Sequence, residues 1–287
     1  MPQQSIDIRP IAGALGAEVL GVDLASEIKD DTIAAIRQAL LDHLVIFFRD
    51  QIIEPKHQIS FAKRFGDLVE YPMVKGLHGF PEIVPVVKLP DERINFGGLW
   101  HSDTTYLERP PMGAILAAKE LPPYGGDTLF ASLTLAYEAL SEGMKTLVGR
   151  LSTVNQYDKH ATRSRRMSEK IPDQDVPAEV ATHPLVRVHP ETGKPALYLN
   201  AMQTTRHFAG MTPEESRPLI VYLLDHATRP EFTCRVRWRP GTLGMWDNRC
   251  LLHMALDDYP DHRRVMHRIT IKGGPVVGLE TTSEAAE

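Results

Sequence analysis

Cysteine is almost missing from this sequence: among 287 residues only Cys234 and Cys250 carry thiols. They lack CxxC spacing, so neither a disulfide framework nor a thiolate zinc site is expected. Positive charge is not in surplus either. Lys and Arg number 32 against 37 Asp and Glu, a formal charge of -5, which leaves little to neutralise a nucleic-acid backbone and no basic run for a membrane surface. Long apolar runs are absent too; Leu44 to Phe48 is far below the roughly 20 residues that span a bilayer. The opening MPQQSIDIRPIAG has no basic stretch followed by an apolar one, so it does not read as a secretory signal and a cytoplasmic location is the expectation. No phosphate-binding loop, dinucleotide-binding glycine fingerprint or serine nucleophile elbow occurs.

What is present is the composition of a globular chain with a sizeable core, 43% hydrophobic and 24% charged. Ile6, Ile8 and Ile11, then Ala17, Val19 and Leu20, alternate between glycines and predict short strands. Behind Asp30 or Asp31 as cap, Ile33, Ile36, Ala39 and Leu40 fall at helical spacing, and LVIFF at 44–48 reads as a buried strand. A second helix is predicted over Pro55 to Phe65, and another over Leu133 to Leu147. Residues 67–100 have scattered Gly and Pro and no lasting period, the character of a loop over a site. The polar stretch within 155–180 is the best candidate for an insert or lid.

Strand signals dominate the second half. HPLVRVHP and KPALYLN flank the turn PETG as a hairpin, and a helix follows Thr212 with Leu219, Leu223 and Leu224 on one side. Two further strands flank Pro240-Gly241, and RRVMHRITIKG is the last. With strands in both halves and no Pro/Ser-rich linker, the chain is expected to form one domain, 1–287, mainly β with flanking helices, built as a barrel or sandwich.

Chemistry concentrates in a few places. In Trp100-His101-Ser102-Asp103, an extended backbone projects positions 101 and 103 from one face, where an imidazole and a carboxylate can meet one ion. His253 is a candidate for the third position, although a lone histidine there also reads as a hydrogen-bonded structural side chain. Two imidazoles and a carboxylate on one side of a metal leave open positions opposite, the arrangement of iron(II) oxygen chemistry; zinc on the same ligands suggests hydrolysis instead. On the last strand Arg264, Met266, Arg268 and Thr270 share a face by period 2. Pointed inward, two guanidiniums need anions to face. The competing register turns that face to solvent and buries Val265, His267 and Ile269.

At these residues the chain resembles the 2-oxoglutarate-dependent dioxygenases related to taurine and chlorophenoxyacetate dioxygenases. The resemblance rests on WHSDTTY (100–106), GGDTLF (125–130), WDNRCLLH (246–253) and RRVMHR (263–268), in family order, with weaker similarity at GAEVLGVDL (16–24) and FAKRFGDL (61–68). It implies a double-stranded β-helix, or jelly-roll, core. It also implies iron(II) held by His101, Asp103 and His253, with the distal carboxylate of 2-oxoglutarate on Thr128 and Arg264 and the anionic head of the substrate on Arg268. Tyr71, Asn95 and Tyr106 are candidate substrate contacts. Where the taurine-cleaving members carry a histidine this sequence has Tyr71, and where they carry an asparagine before the His-x-Asp motif it has Gly97 with Asn95 nearby. A different organic anion is therefore expected: an aryloxyalkanoate, sulfonate, sulfate ester or related carboxylate, hydroxylated with O2 to release succinate and CO2. The family resemblance favours a homo-oligomer, dimer or tetramer, and neither nucleic acid nor membrane is an expected partner. Two other readings stand beside this one, a metal-dependent hydrolase on the same ligands and a binding protein without catalysis.

Overall fold

The structure is a computed structural model whose description covers residues 6–70, 75–93, 95–156, 180–201 and 204–280. Tyr71 and positions 157–179 of the expected insert lie outside those residues. The chain opens with β1 (Asp7–Pro10), β2 (Ala17–Leu20), α1 (Asp30–His43), β3 (Val45–Phe48), α2 (Pro55–Lys63), β4 (Leu68–Val69) and β5 (Val84–Lys88). The middle holds β6 (Gly113–Glu120), β7 (Thr128–Ser132), α3 (Leu133–Glu138), α4 (Glu142–Val148), β8 (Ser152–Gln156), β9 (Val180–Pro184), β10 (Val186–Val188), β11 (Pro195–Leu197) and β12 (Thr205–Phe208). After α5 (Pro213–Ala227) come β13 (Thr233–Val236), β14 (Leu243–Asp247), β15 (Leu251–Ala255) and β16 (Arg264–Ile271).

The largest sheet runs β1-β2-β3-β14-β6-β16-β4, with β5 also on β16. Smaller sheets are β13-β7-β15, β12-β8-β9 and the hairpin β10-β11. The apolar run in β3 shows why strands form here. Val45 and Phe47 point to a core shared with Phe130, Val236 and Leu251 of the β13-β7-β15 sheet, while Ile46 and Phe48 point to a second core under α1 and α2. A strand covered on both faces reads as continuous hydrophobicity instead of alternation. Phe47 meets Phe130 and Trp238 edge-on at 5.9 and 6.0 Å, so the sheets are joined by aromatic contacts as well as buried area. A third core packs α3 and α5 on the outer face of the smaller sheet through Leu133, Ile220, Leu223 and Leu252.

The mainly β architecture with helices outside is as expected, and three local expectations change. The single helix over 133–147 is two, because the Ser141 hydroxyl accepts from Met144 N and starts α4, a competing N-cap inside the apolar pattern. The 67–100 stretch contains β4 and β5, which cover the open edge of β16. Helix α1 is capped at Lys29, with Asp30 and Asp31 in its first turn, where carboxylates favour the positive end of the dipole.

One buried polar network sets the chain segment after Asp103. His183 Nε2 donates to the carbonyls of Thr105 and Leu107, each at 3.0 Å. Asn200 Nδ2 donates to Ser102 O at 2.7 Å and to Thr105 Oγ1 at 3.0 Å. Burial, with a contribution from Arg187, lowers the His183 pKa below its ordinary value of 6.5, although the two carbonyl contacts oppose it. The unfolded chain therefore binds more protons than the folded one below that value, so stability rises with pH there and is lost as pH falls through it. The thermal midpoint should drop between pH 7.5 and 5.5, and His183→Gln should reduce that drop, with His267, also depressed by burial, retaining part of it. Identical pH slopes for the two proteins in thermal melts would show that His183 is not a source of the effect.

Candidate active site

Two peptide hydrogen bonds create the site. His101 N donates to His253 O at 3.0 Å and His253 N to His101 O at 2.8 Å, an isolated antiparallel bridge that attaches the 101 segment to β15. Residues opposed in this way send their side chains to the same face, and the two imidazole centroids lie 4.1 Å apart. The chain turns at Asp103, so convergence comes from the bridge and a bend, not from a continuing strand. Asp103 Oδ1 lies 3.7 Å from Nε2 of each histidine.

Three donor atoms at this spacing fit a cation. The separation is too long for hydrogen bonds, yet two donors each about 2.1 Å from one ion can be up to about 4.2 Å apart, which encloses the observed spacing. Tautomers agree. His101 Nδ1 lies 2.7 Å from Leu99 O; a carbonyl only accepts, so Nδ1 carries the proton and Nε2 is left as the ligand atom. Gly97, at φ 78°, lies so close that an added Cβ would be 3.1 Å from His101 Cε1, so a side chain at this position would crowd the imidazole. His253 is held between Trp246, at 4.8 Å, and Phe130, stacked at 6.1 Å.

The electrostatics keep the ligands in their binding forms. Burial alone would raise the Asp103 pKa, but Arg268, His253, His101 and the Asn248 amide outweigh it and hold the carboxyl well below the usual range. Burial, and then the neighbouring His101, push His253 well below its ordinary value, while Asp103 opposes. A carboxylate beside a neutral imidazole is the state a metal takes up without displacing protons.

A pocket of roughly 470 Å³, its mouth included, is lined by these histidines together with Thr128, Trp238, Arg264 and Arg268. Arg264, Met266 and Arg268 are buried and Val265 and His267 are half-buried, so β16 takes the register that turns its arginines inward. Arg264 Nε has no hydrogen-bond partner among the described residues, and Gly126, at φ 68°, lies against the guanidinium so closely that a Cβ would be 3.3 Å from Nε. A buried guanidinium without a carboxylate awaits an anion. Thr128 Oγ accepts from Trp238 Nε1 at 2.9 Å; because indole only donates, the threonine hydroxyl is left to donate its own proton. Arg268 Nη2 lies 2.8 Å from Asp103 Oδ2.

The remaining expected contacts separate. Asn95 is buried beside the pocket, its Nδ2 donating to Leu256 O at 2.6 Å and its Oδ1 accepting from the Tyr259 hydroxyl, so its amide ties the 95–99 loop to the segment after β15. Tyr106 is buried in the segment after Asp103. Trp238 and Asn248 were not singled out from sequence; the signal available for Asn248 was its place in the WDN triplet. A second cluster, His189, Asp247 and Cys250, also has closely spaced donors. It is a structural clamp. His189 Nδ1 accepts from the Glu191 and Thr192 amides, so Nε2 donates to Asp247, whose two oxygens also take Arg249 at 2.8 and 2.6 Å. Burial and the Asp247 carboxylate raise the Cys250 pKa well above its ordinary value, which leaves a thiol and no thiolate.

Comparison with known proteins identifies the family. Residues 7–270 match the model of the taurine catabolism dioxygenase TauD, TfdA family. An alpha-ketoglutarate-dependent sulfate ester dioxygenase from Pseudomonas putida is 35% identical over 96% of this chain and 92% of its own. An (S)-phenoxypropionate/alpha-ketoglutarate-dioxygenase from Sphingobium herbicidovorans is 33% identical over 94% of this chain and 96% of its own. Among solved structures, AAD-2 in complex with Mn(II) and N-oxalylglycine superposes with a TM-score of 0.76 at 26% identity, covering 95% of this chain and 100% of that one. The shared fold is the jelly-roll expected from sequence.

If the three side chains bind one ion, the protein should take up one equivalent of Co(II) in anaerobic titration. His101→Ala should weaken that uptake by more than about 100-fold, beyond what losing a supporting hydrogen bond alone costs; undiminished binding would refute the ligand set.

Proposed function

The chain belongs to the taurine catabolism dioxygenase (TauD, TfdA) family, and we propose from its site that it hydroxylates a small organic anion. As an enzyme of this family it is an iron(II)- and 2-oxoglutarate-dependent dioxygenase. Neither the hydrolase nor the non-catalytic reading gains support from the relatives. The observation that carries the proposal is the pairing of a three-donor cation site with two buried arginines four residues apart on β16.

In this reading His101, Asp103 and His253 would hold the metal beside the pocket. Arg264, with no carboxylate of its own to pair with, takes the distal carboxylate of 2-oxoglutarate in a charge-assisted contact, and the Thr128 hydroxyl donates to the same group. Together the bound metal and keto acid supply dioxygen activation, in which one oxygen atom goes to succinate as CO2 is lost and the other becomes a hydroxyl on a substrate carbon. The protein's part is to hold the reacting groups in register and to exclude water with Trp238, Trp246 and Phe96.

Arg268 faces the same cavity and is the residue proposed to receive the substrate anion. The relatives named for sulfate esters and phenoxypropionate support a substrate whose acidic group sits near an oxygen-bearing carbon, within the wider set of aryloxyalkanoates, sulfonates, sulfate esters and related carboxylates. Hydroxylation next to an ether or ester oxygen leaves a carbon bearing two oxygens, which collapses to a carbonyl compound and releases the alcohol or sulfate. Tyr106 and Tyr71 are offered as substrate contacts, and Asn95 as the residue that fixes the 95–99 loop. The reading also carries a cytoplasmic homo-oligomer.

Succinate release measured against a panel of anionic substrates tests the division of labour between the arginines. Loss of a hydrogen bond to a charged group costs about 1.5–3 kcal/mol, or roughly 10- to 100-fold. Arg268→Gln should raise the substrate KM by that factor while leaving the 2-oxoglutarate KM nearly unchanged, and Arg264→Gln should do the reverse. An unaltered substrate KM in Arg268→Gln would assign the anion elsewhere.

A further inference from the structure

We propose that Asn248 is a positioning residue for the metal: its amide holds Asp103 so that the carboxylate offers Oδ1 to the cation and keeps Oδ2 away from it. The inference rests on the assignment of His101, Asp103 and His253 as ligands and extends it to a residue that touches neither metal nor substrate.

Asn248 is 1% exposed, and its polar groups are engaged by the protein on every side. Its backbone N donates to Met112 O at 2.9 Å and its carbonyl accepts from Ser102 Oγ at 2.8 Å. Its Oδ1 accepts from Trp246 Nε1 at 3.0 Å, and Nδ2 donates to Asp103 Oδ2 at 2.9 Å. The two ends of an amide are easily confused, but here chemistry decides. Indole is only a donor, so the oxygen must face Trp246 and the NH2 must face the carboxylate. Trp246 is itself packed on the His253 ring, and Ser102 lies between the two ligands of the His-x-Asp segment. Ser102, Asp103, Trp246 and Asn248 thus make a closed frame with a metal ligand on two of its sides. The frame stands on rigid ground, since the preceding residue, Asp247, is gripped by Arg249 and His189.

An aspartate can bind a cation through one oxygen or two. Were Oδ2 to swing inward it would fill a position that the keto acid or dioxygen needs. Two groups oppose this, Asn248 through a hydrogen bond at 2.9 Å and Arg268 through an ion pair at 2.8 Å. They are not equivalent. Arg268 also faces the cavity, where an arriving anion competes for its guanidinium, whereas the Asn248 amide is committed inside the protein and keeps its hold throughout the cycle. It is also neutral, so it restrains the carboxylate without cancelling the charge that attracts the cation.

The test is anaerobic Co(II) titration of the full chain, parent against Asn248→Ala and Trp246→Phe, read both as affinity and as ligand-field absorption. Removing a partner of this kind typically weakens metal binding 10- to 100-fold. Both variants should do so, and both should change the ligand-field spectrum as the released Oδ2 becomes free to displace another ligand from the ion. In the double variant Trp246→Phe should shift the spectrum no further than Asn248→Ala alone, because the indole N–H acts on Asp103 only through the amide. Trp246→Phe removes the indole N–H while keeping an aromatic ring against His253, so it carries the test if Asn248→Ala does not fold. Parental affinity and spectrum in either folded variant overturn the proposal. Weaker binding with an unchanged spectrum also overturns it, in favour of a merely structural role. Failure of the parent to bind Co(II) would instead overturn the ligand assignment beneath it.

Discussion

The site depends on one pair of reciprocal peptide hydrogen bonds, between His101 and His253. Side chains 152 positions apart in the sequence are brought to the same face by a bridge one residue long, and everything else at the site is arranged around it. On one side β15 is paired along its length with β7, which carries Thr128 at its start. On the other, the segment after Asp103 is anchored by Asn200 and His183. The bridge is short, but the elements that present its halves are not free to move.

The second constraint is electrostatic. The site gathers one carboxylate, two imidazoles and two guanidiniums, all but His101 buried, and removing such groups from water is costly unless each finds a counterpart. Asp103 finds Arg268, Asn248 and the imidazoles. Arg264 is left with Tyr259 and Asp127 as electrostatic neighbours and, among the described residues, no ion pair. This imbalance is informative: the protein satisfies the charges that belong to its own framework and leaves uncompensated the donors and the cation that face the cavity. A metal and a dicarboxylate supply the missing counterparts.

Much of this was legible in the sequence where a local pattern decides the outcome. Period 2 in RRVMHRITI placed Arg264 and Arg268 on one face, and burial selects the inward register over the one that would bury His267. LVIFF announced a strand covered on both sides. The PETG hairpin and the Thr212 cap followed from turn and capping chemistry, whereas the break at Ser141 was hidden because the apolar spacing continues across it. The convergence of His253 with the 101/103 pair has no local signature; it came from resemblance to a family whose motifs recur in the same order. Asn248 and Trp238 were illegible for a related reason. Each acts on a partner more than a hundred positions away, Asp103 for one and Thr128 for the other, and only tertiary structure supplies the partner.

The central claim is that three protein donors hold one ion and leave adjacent positions open for a bidentate keto acid. Anaerobic addition of iron(II) and then 2-oxoglutarate, followed by visible absorption, tests it most directly. The account predicts a metal-to-keto-acid charge-transfer band that appears only with both present and saturates at one equivalent of each. Tight binding of both without any such band would mean that metal and keto acid do not meet in this pocket, and would contradict it.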